Sequence, residues 1–268
     1  MAGHSKWANI KRQKARVDAV KGKVFTKISR EIIVAARSGV PDPTGNFQLR
    51  TAIEKAKAAG IPNDNIERAI AKGAGSFGGN DTLEAIRYEG YGSGGVAVLI
   101  EALTDNRNRT AATLREAFSK NGGNLGETGC VSWMFEQKGV AEISFIANDT
   151  RRGRGRSAQT EIDEEALLEA CLEAGADTYE LSDAETGKVA EVFTEVENLE
   201  TLSQTLQDKG YTVTQAELRW LPQTTVDVTD SDQARSLLKL MDALDDLDDV
   251  QTATANFDMA EELMSAAV

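Results

Sequence analysis

The residues in this sequence whose types and spacing could do chemistry are cations gathered near its N-terminus. Residues 1–37 contain 10 Lys+Arg against 2 Asp+Glu, with Trp7 and Phe25 interleaved. Each phosphate that such a surface neutralises releases counterions, so the pattern predicts polyphosphate binding with a steep salt dependence. A solvated helix face is the alternative. We expect roles in positioning phosphate rather than in reading bases for Lys6, Lys11, Arg12, Lys14, Arg16, Lys21, Lys23, Lys27 and Arg30.

The charge of the chain is divided unevenly between its ends. The net charge is -13, yet residues 1–80 hold 15 Lys+Arg against 6 Asp+Glu, while residues 81–268 hold 15 against 37. A basic end can hold a polyanion while an acidic body avoids non-specific contact. Nucleic acid, either DNA or RNA, is therefore the partner that the charge pattern predicts.

This sequence offers few residues that could bind a cofactor, catalyse a reaction or hold zinc. Residues 90–95 match the G-x-G-x-x-G string, but a dinucleotide site needs a helix after it, and here a strand is predicted. The single histidine, His4, excludes sites that need paired imidazoles. Cys130 has no base near it in sequence, so a small buried side chain is expected there. We therefore predict no cofactor, no metal and no enzyme.

Two charged segments leave alternatives open. The acidic run at residues 242–249 lacks the EF-hand spacing for Ca²⁺, which favours a solvated or partner-facing surface, with a metal-dependent enzyme as the less favoured reading. Residues 151–156 carry Arg and Gly in alternation, which suits either phosphate contact or a solubilising loop. With only 2 cysteines and no apolar stretch of bilayer length, a cytoplasmic protein without a membrane segment is expected.

Two further segments could contact nucleic acid. In residues 105–110, Asn and Thr can cap a helix while Arg107 and Arg109 could contact phosphate, and capping is the expectation. Ala56, Gly60 and Ile66 have the spacing of a helix-turn-helix, for which ordinary helix packing is the alternative.

The candidate cations must be positioned by helices. From Lys23 to Arg37 the helical period places Phe25, Ile28 and Ile32 on one side and the cations on the other. Further helices are predicted at residues 47–59, which end at Gly60, and from Asn63 or Asp64 as cap to Gly73. Residues 1–80 are thus predicted to be a basic, all-helical domain.

Beyond residue 80 the pattern changes to short strands alternating with helices. From Ala141 to Leu221 it predicts strand, helix, faint edge strand, strand, helix and strand, which is a split βαβ set. Flanking strands and helices at residues 96–135 and 225–257, among them a strand at residues 130–135, predict a second set. The predicted fold class is therefore α+β, with one α+β domain at residues 138–221 inserted into another formed by residues 81–137 and 222–268.

Several motifs resemble those of the YebC family, whose mitochondrial relatives are translational activators of cytochrome c oxidase subunit I. The strongest are the opening MAGHSKWANIK, the segments PNDNIERAI and LTDNRNRT, and the DDVQ that begins at Asp248. The resemblance spans essentially the whole chain. It implies an N-terminal helical domain followed by two ferredoxin-like α+β domains, one inserted in the other.

The same resemblance implies a non-enzymatic, cytoplasmic regulator. It leaves two functions open: a DNA-binding transcriptional regulator, or a ribosome-associated RNA-binding factor that assists translation at difficult stretches such as proline runs. The two differ in the expected target, since the first prefers particular duplexes and the second favours structured RNA.

Overall fold

The computed structural model describes residues 19–75, 83–145, 163–184 and 187–267. Its helices, in chain order, are α1 Ala19–Ser38, α2 Phe47–Ala58, α3 Asn63–Gly73, α4 Arg107–Lys120, α5 Glu164–Glu173, α6 Leu199–Asp208, α7 Ser231–Asp245 and α8 Glu261–Ala267. Its strands are β1 Glu84–Tyr91, β2 Ala97–Thr104, β3 Asn124–Leu125, β4 Phe135–Ser144, β5 Thr178–Ala184, β6 Gly187–Thr194, β7 Thr212–Pro222, β8 Val226–Asp227, β9 Val250–Ala255 and β10 Phe257–Asp258. The class is α+β, as the alternation of patterns predicted.

The first three helices pack around a core of their own. Ile28 and Ile32 of α1 are buried against Leu49 and Ile53 of α2, so the apolar side of α1 is the one that the helical period predicted. α3 crosses α1 closely at Gly73, where a Cβ atom would lie 2.5 Å from the Ile33 carbonyl oxygen.

The ends of these helices are fixed in different ways. Asn46 caps α2 by accepting from the Leu49 amide at 3.0 Å, and its Nδ2 donates to the Ala35 carbonyl oxygen at 2.8 Å. The predicted cap of α3 is wrong. The capping position is Pro62, which makes no side-chain hydrogen bond, so both candidate cap residues, Asn63 and Asp64, lie within the helix.

An antiparallel sheet of order β3-β1-β2-β9 follows this helical region. α4 and α7 cover one face of the sheet, where Phe118, Leu237 and Met241 pack against Val98 and Ile100. The glycine string at residues 90–95 closes the turn between β1 and β2. Gly90 lies beneath the Phe118 ring, and a Cβ atom on Gly90 would come within 2.7 Å of a ring carbon. The glycine string therefore serves packing and turn geometry.

A second four-stranded sheet has the order β5-β6-β4-β7, and β6 pairs antiparallel with both β4 and β5. The chain runs β4, α5, β5, β6, α6 and β7, which is the ferredoxin-like arrangement. Its core includes Ile143 and Val192 of the sheet with Leu167 and Leu202 of the helices. The chain forms two compact units: one is Gln137–Trp220, and the other combines the chain up to Glu136 with Leu221 onward. The predicted division into three domains remains a prediction.

Candidate nucleic-acid interface

The predicted phosphate contacts divide into a described set and an undescribed set. Lys6, Lys11, Arg12, Lys14 and Arg16 lie outside the described residues, as does residue range 151–156. Lys21 lies in α1 by its backbone, and its side chain is likewise outside the described part. The structure brings the other three together: Lys23, Lys27 and Arg30 follow one another along α1, and they are termed the basic face below.

The basic face lies against the C-terminal end of α7 and the residues that follow it. Lys23 Nζ lies 3.0 Å from Asp246 Oδ1, and the two side chains are 48% and 71% exposed. Lys27 Nζ donates to the Asp245 carbonyl oxygen at 2.8 Å. Carbonyl groups at a helix C-terminus carry partial negative charge, so both lysines are favourably placed. The acidic run therefore has a partner within the same compact unit, which the sequence pattern did not predict.

Arg30 is held more firmly than the two lysines. Its Nη1 donates to Asp249 Oδ1 at 2.8 Å, and the side chains are only 21% and 15% exposed. The same nitrogen donates to the Leu103 carbonyl oxygen at 3.2 Å and to that of Asp248. The guanidinium group thus joins α1 to the end of β2 and to the loop before β9.

Asp249 is the centre of this network. Its Oδ2 accepts from Thr110 Oγ1 at 2.7 Å and from Arg109 Nη2 at 3.1 Å, while Oδ1 accepts from Arg30. Burial by itself would raise the pKa of Asp249, but the hydrogen bonds from Thr110, Arg109 and Arg30 outweigh it and the net pKa is lowered. Asp249 is therefore a carboxylate at neutral pH.

The segment at residues 105–110 supplies part of that network. Asn106 caps α4 by accepting from the Arg109 amide at 3.1 Å, which confirms the capping role. Arg109 pairs with both Asp105 and Asp249, and Arg107 pairs with Glu84. These guanidinium groups are thus engaged with carboxylates, and phosphate contact by them stays a prediction.

A turn joins α2 to α3, and its geometry fits both the helix-turn-helix and the ordinary helix packing that the spacing left open. Ala56 and Ile66 are buried at its crossing, and Gly60 adopts φ +78° in the turn. Asn65, Arg68 and Lys72 are exposed on α3, and these are the side chains that a base-reading helix would offer. Whether they contact bases stays a prediction.

Neither cysteine is poised as a nucleophile. Cys130 is half-buried rather than buried, and burial together with Glu89 and Glu127 raises the pKa of its thiol. Burial raises the pKa of Cys171 to about 11.

Within the described ranges, no group of three or more His, Cys, Asp or Glu is arranged to hold a metal ion. No helix among the described residues has both the length and the apolar character to cross a bilayer.

Comparison with known proteins covers nearly the whole chain. Residues 5–76 match the TACO1/YebC protein N-terminal domain, and residues 83–257 match the TACO1/YebC second and third domain. A probable transcriptional regulatory protein of Gloeothece citriformis is 68% identical over 100% of both chains, and one of Trichormus variabilis is 70% identical over 99% of this chain and 98% of its own.

A solved structure is similar as well. The crystal structure of a conserved hypothetical protein from Aquifex aeolicus is 45% identical, with a TM-score of 0.78, and the match covers 92% of this chain and 94% of that one.

Proposed function

Because the chain belongs to the TACO1/YebC family, we propose that it is a nucleic-acid-binding regulatory protein and, as its curated relatives are named, a regulator of transcription. The observation that carries the proposal is the basic face of α1, in particular the exchangeable pairing of Lys23 with Asp246. The charge asymmetry between residues 1–80 and the remainder supports the same partner. We infer that the protein acts in the cytoplasm and without catalysis.

The ion pair of Lys23 with Asp246 can be exchanged for a contact to phosphate at small cost. Exposed ion pairs contribute roughly 0.2–1 kcal/mol, and both of these side chains are well exposed. A nucleic acid presents many phosphates to the same surface and releases counterions when they are neutralised. Lys27 donates to the carbonyl oxygen of Asp245, the last residue of α7, and we propose that it exchanges this contact for one to an incoming phosphate. These two lysines are therefore proposed as direct contacts.

Arg30 is proposed as a contact of a different kind. Its guanidinium group has three acceptors from the protein and is mostly buried. Displacing it would leave Asp249 without one of its cations, which is more costly than releasing an exposed lysine. Arg30 therefore acts on phosphate chiefly by holding α1, with its neighbouring lysines, in position. Lys6, Lys11, Arg12, Lys14, Arg16 and Lys21 remain proposed as direct phosphate contacts.

A second candidate function is supported by the kind of contact available. Lysine amines bind phosphate without reading sequence, and this suits a ribosome-associated RNA-binding factor that assists translation through stretches such as proline runs. The exposed Asn65, Arg68 and Lys72 of α3 favour the transcriptional function instead, since such side chains can reach base edges from a helix.

The test uses Lys23→Gln with Lys27→Gln, because glutamine removes both charges without adding repulsion against Asp245 and Asp246. Binding to a duplex DNA and to an RNA hairpin is followed by fluorescence anisotropy across a range of salt concentrations. The double variant is expected to bind about tenfold more weakly and to lower the salt slope by about 2, one for each lost phosphate contact.

The matched control is Lys120→Gln with Lys239→Gln, which makes the same change in net charge at exposed positions of α4 and α7. It is expected to leave the salt slope unchanged, and circular dichroism checks that both variants fold. Equal affinity of the Lys23, Lys27 variant and the wild type would refute the interface. Preference for particular duplexes over RNA favours the transcriptional function, and the reverse favours the ribosomal one.

A further inference from the structure

Trp133 is a large apolar side chain that the fold leaves in solvent, with 67% of its surface exposed. It lies in a single 3-10 turn, Ser132–Met134, just before β4. The neighbours of this turn in sequence are anchored, since Val131 and Phe135 are both buried. The exposed indole therefore projects from a turn that is fixed on both sides.

The indole ring is itself held in one orientation. Its Nε1 donates to the Cys130 carbonyl oxygen at 3.1 Å, and the same oxygen accepts from the Tyr91 hydroxyl at 3.0 Å. The N–H is the only polar group of a tryptophan side chain, so no donor remains for a partner. What the ring offers is its π face and its apolar edge.

A buried carboxylate organises the segment that carries this ring. Glu89 is only 3% exposed and accepts from the amides of Gly129 at 2.8 Å, Val131 at 2.6 Å and Ser132 at 2.8 Å. Burial by itself would raise the pKa of Glu89, but these amides outweigh it and the net pKa is lowered. The segment is thus built around a carboxylate that is ionised at neutral pH and bound by three backbone amides, so the ring position is preorganised.

The chain segment that carries Trp133, between Lys120 and Lys138, is acidic in sequence, and so is the segment that it contacts. Residues 121–137 and 221–230 contain no Lys or Arg, while they contain Glu127, Glu136, Asp227 and Asp230. The two segments touch, because the Gln223 amide donates to the Met134 carbonyl oxygen at 2.8 Å. The field of Glu127 reaches the Cys130 thiol and helps to raise its pKa. Phosphate is repelled by such a surface, whereas a cation is attracted to it.

We propose that Trp133, with Glu127 and Glu136, forms a docking surface for a basic peptide segment of a partner protein, with an Arg or Lys side chain stacked on the indole. A cation over an indole face gains from the ring quadrupole, and tryptophan is the best aromatic residue for this contact. Neighbouring carboxylates add charge complementarity to the stacked group. This surface is separate from the basic face of α1 and does not depend on nucleic-acid binding.

The first experiment uses a labelled peptide of alternating Arg and Gly as the probe. Its affinity is measured by fluorescence anisotropy for the wild type and for Trp133→Ala, which removes an exposed ring and therefore leaves no cavity. The substitution is expected to weaken binding at least fivefold, and Trp133→Phe is expected to restore part of the loss because a π face remains. Equal binding of the peptide by Trp133→Ala and wild type would overturn the proposal.

Matched controls separate the surface from the general acidity of the chain. Glu127→Gln with Glu136→Gln is expected to weaken binding severalfold. Glu165→Gln with Glu169→Gln makes the same charge change at exposed positions of α5 and is expected to leave affinity near that of wild type. An equal loss in both double variants would mean non-specific attraction and would contradict the proposal.

A second readout identifies the class of partner directly. In a background of Trp7→Phe and Trp220→Phe, Trp133 is the only fluorescent indole, since the sequence has 3 Trp. The Arg-Gly peptide is expected to quench its emission, while oligouridylate is expected to leave it unchanged. Quenching by oligouridylate but not by the peptide would make the ring a base-stacking platform and overturn the assignment.

Discussion

Replacement of Asp249 by Asn tests the network that fixes the basic face of α1. The substitution keeps the shape of the side chain and one acceptor oxygen, but an NH2 group replaces the other oxygen. If Oδ1 is replaced, the hydrogen bond from Arg30 is lost; if Oδ2 is replaced, those from Arg109 and Thr110 are lost. A hydrogen bond to a charged group contributes about 1.5–3 kcal/mol when the site is shielded from water. Arg109 is half-exposed and can turn to solvent, so losing its hydrogen bond costs less free energy than losing that of a buried group. We expect a loss of about 2 kcal/mol.

The assay is differential scanning calorimetry at neutral pH, compared with Asp248→Asn as the control. Asp248 is the neighbouring residue, its side chain is exposed, and it joins the network through its backbone carbonyl oxygen, which the substitution keeps. For a unit of this size, about 2 kcal/mol corresponds to a fall in Tm of roughly 4–8 °C. The transition of the unit that contains Asp249 is expected to shift, while that of Gln137–Trp220 stays in place.

The pH dependence of this difference has a definite sign. The folded-state pKa of Asp249 lies below its ordinary value, so its contribution is present above that ordinary value and is lost as the pH falls through the folded-state pKa. The difference between wild type and Asp249→Asn is expected to be constant from neutral pH to about pH 5 and to shrink below about pH 4. A loss no larger than that of Asp248→Asn, or a difference that persists undiminished in strong acid, would refute the reasoning.

Two other substitutions follow from the same contacts. Asp246→Asn removes the competitor of phosphate at Lys23, so affinity for duplex DNA or an RNA hairpin is expected to rise about two- to fivefold at low salt, with the gain vanishing at high salt in the anisotropy assay. Gly73→Ala places a methyl group 2.5 Å from the Ile33 carbonyl oxygen and is expected to cost about 1–3 kcal/mol by urea denaturation. Gly45→Ala, with open space around the new methyl, is the neutral control.

The sequence predicted those elements in which local pattern and tertiary packing agree. The apolar side of α1, the cap at Asn106 and the order of strands and helices from Ala141 to Leu221 all follow from periodicity and capping chemistry. The cations of α1 were also predicted to share a face. What the pattern could not supply was the partner of that face, because Arg30 and Asp249 are 219 positions apart in the chain.

The misses have identifiable physical causes. β1 was not predicted, because Glu84, Arg87 and Glu89 interrupt its apolar alternation, and Glu89 is buried only through amides from a distant turn. A strand was predicted at residues 130–135, where Glu89 draws three amides together and the chain forms a 3-10 turn instead. In both places a charged side chain is satisfied by long-range backbone contacts, and this is invisible to local periodicity.

The nesting of one unit within the other imposes an order of completion on the growing polypeptide. Synthesis proceeds from the N-terminus, so Gln137–Trp220 is complete before β9, which pairs with β2, has been made. During that interval α1 exists without the acidic segment that later covers its lysines and Arg30. Until that segment is synthesised, the cations of α1 are therefore more accessible to surrounding polyanions than they are in the finished protein.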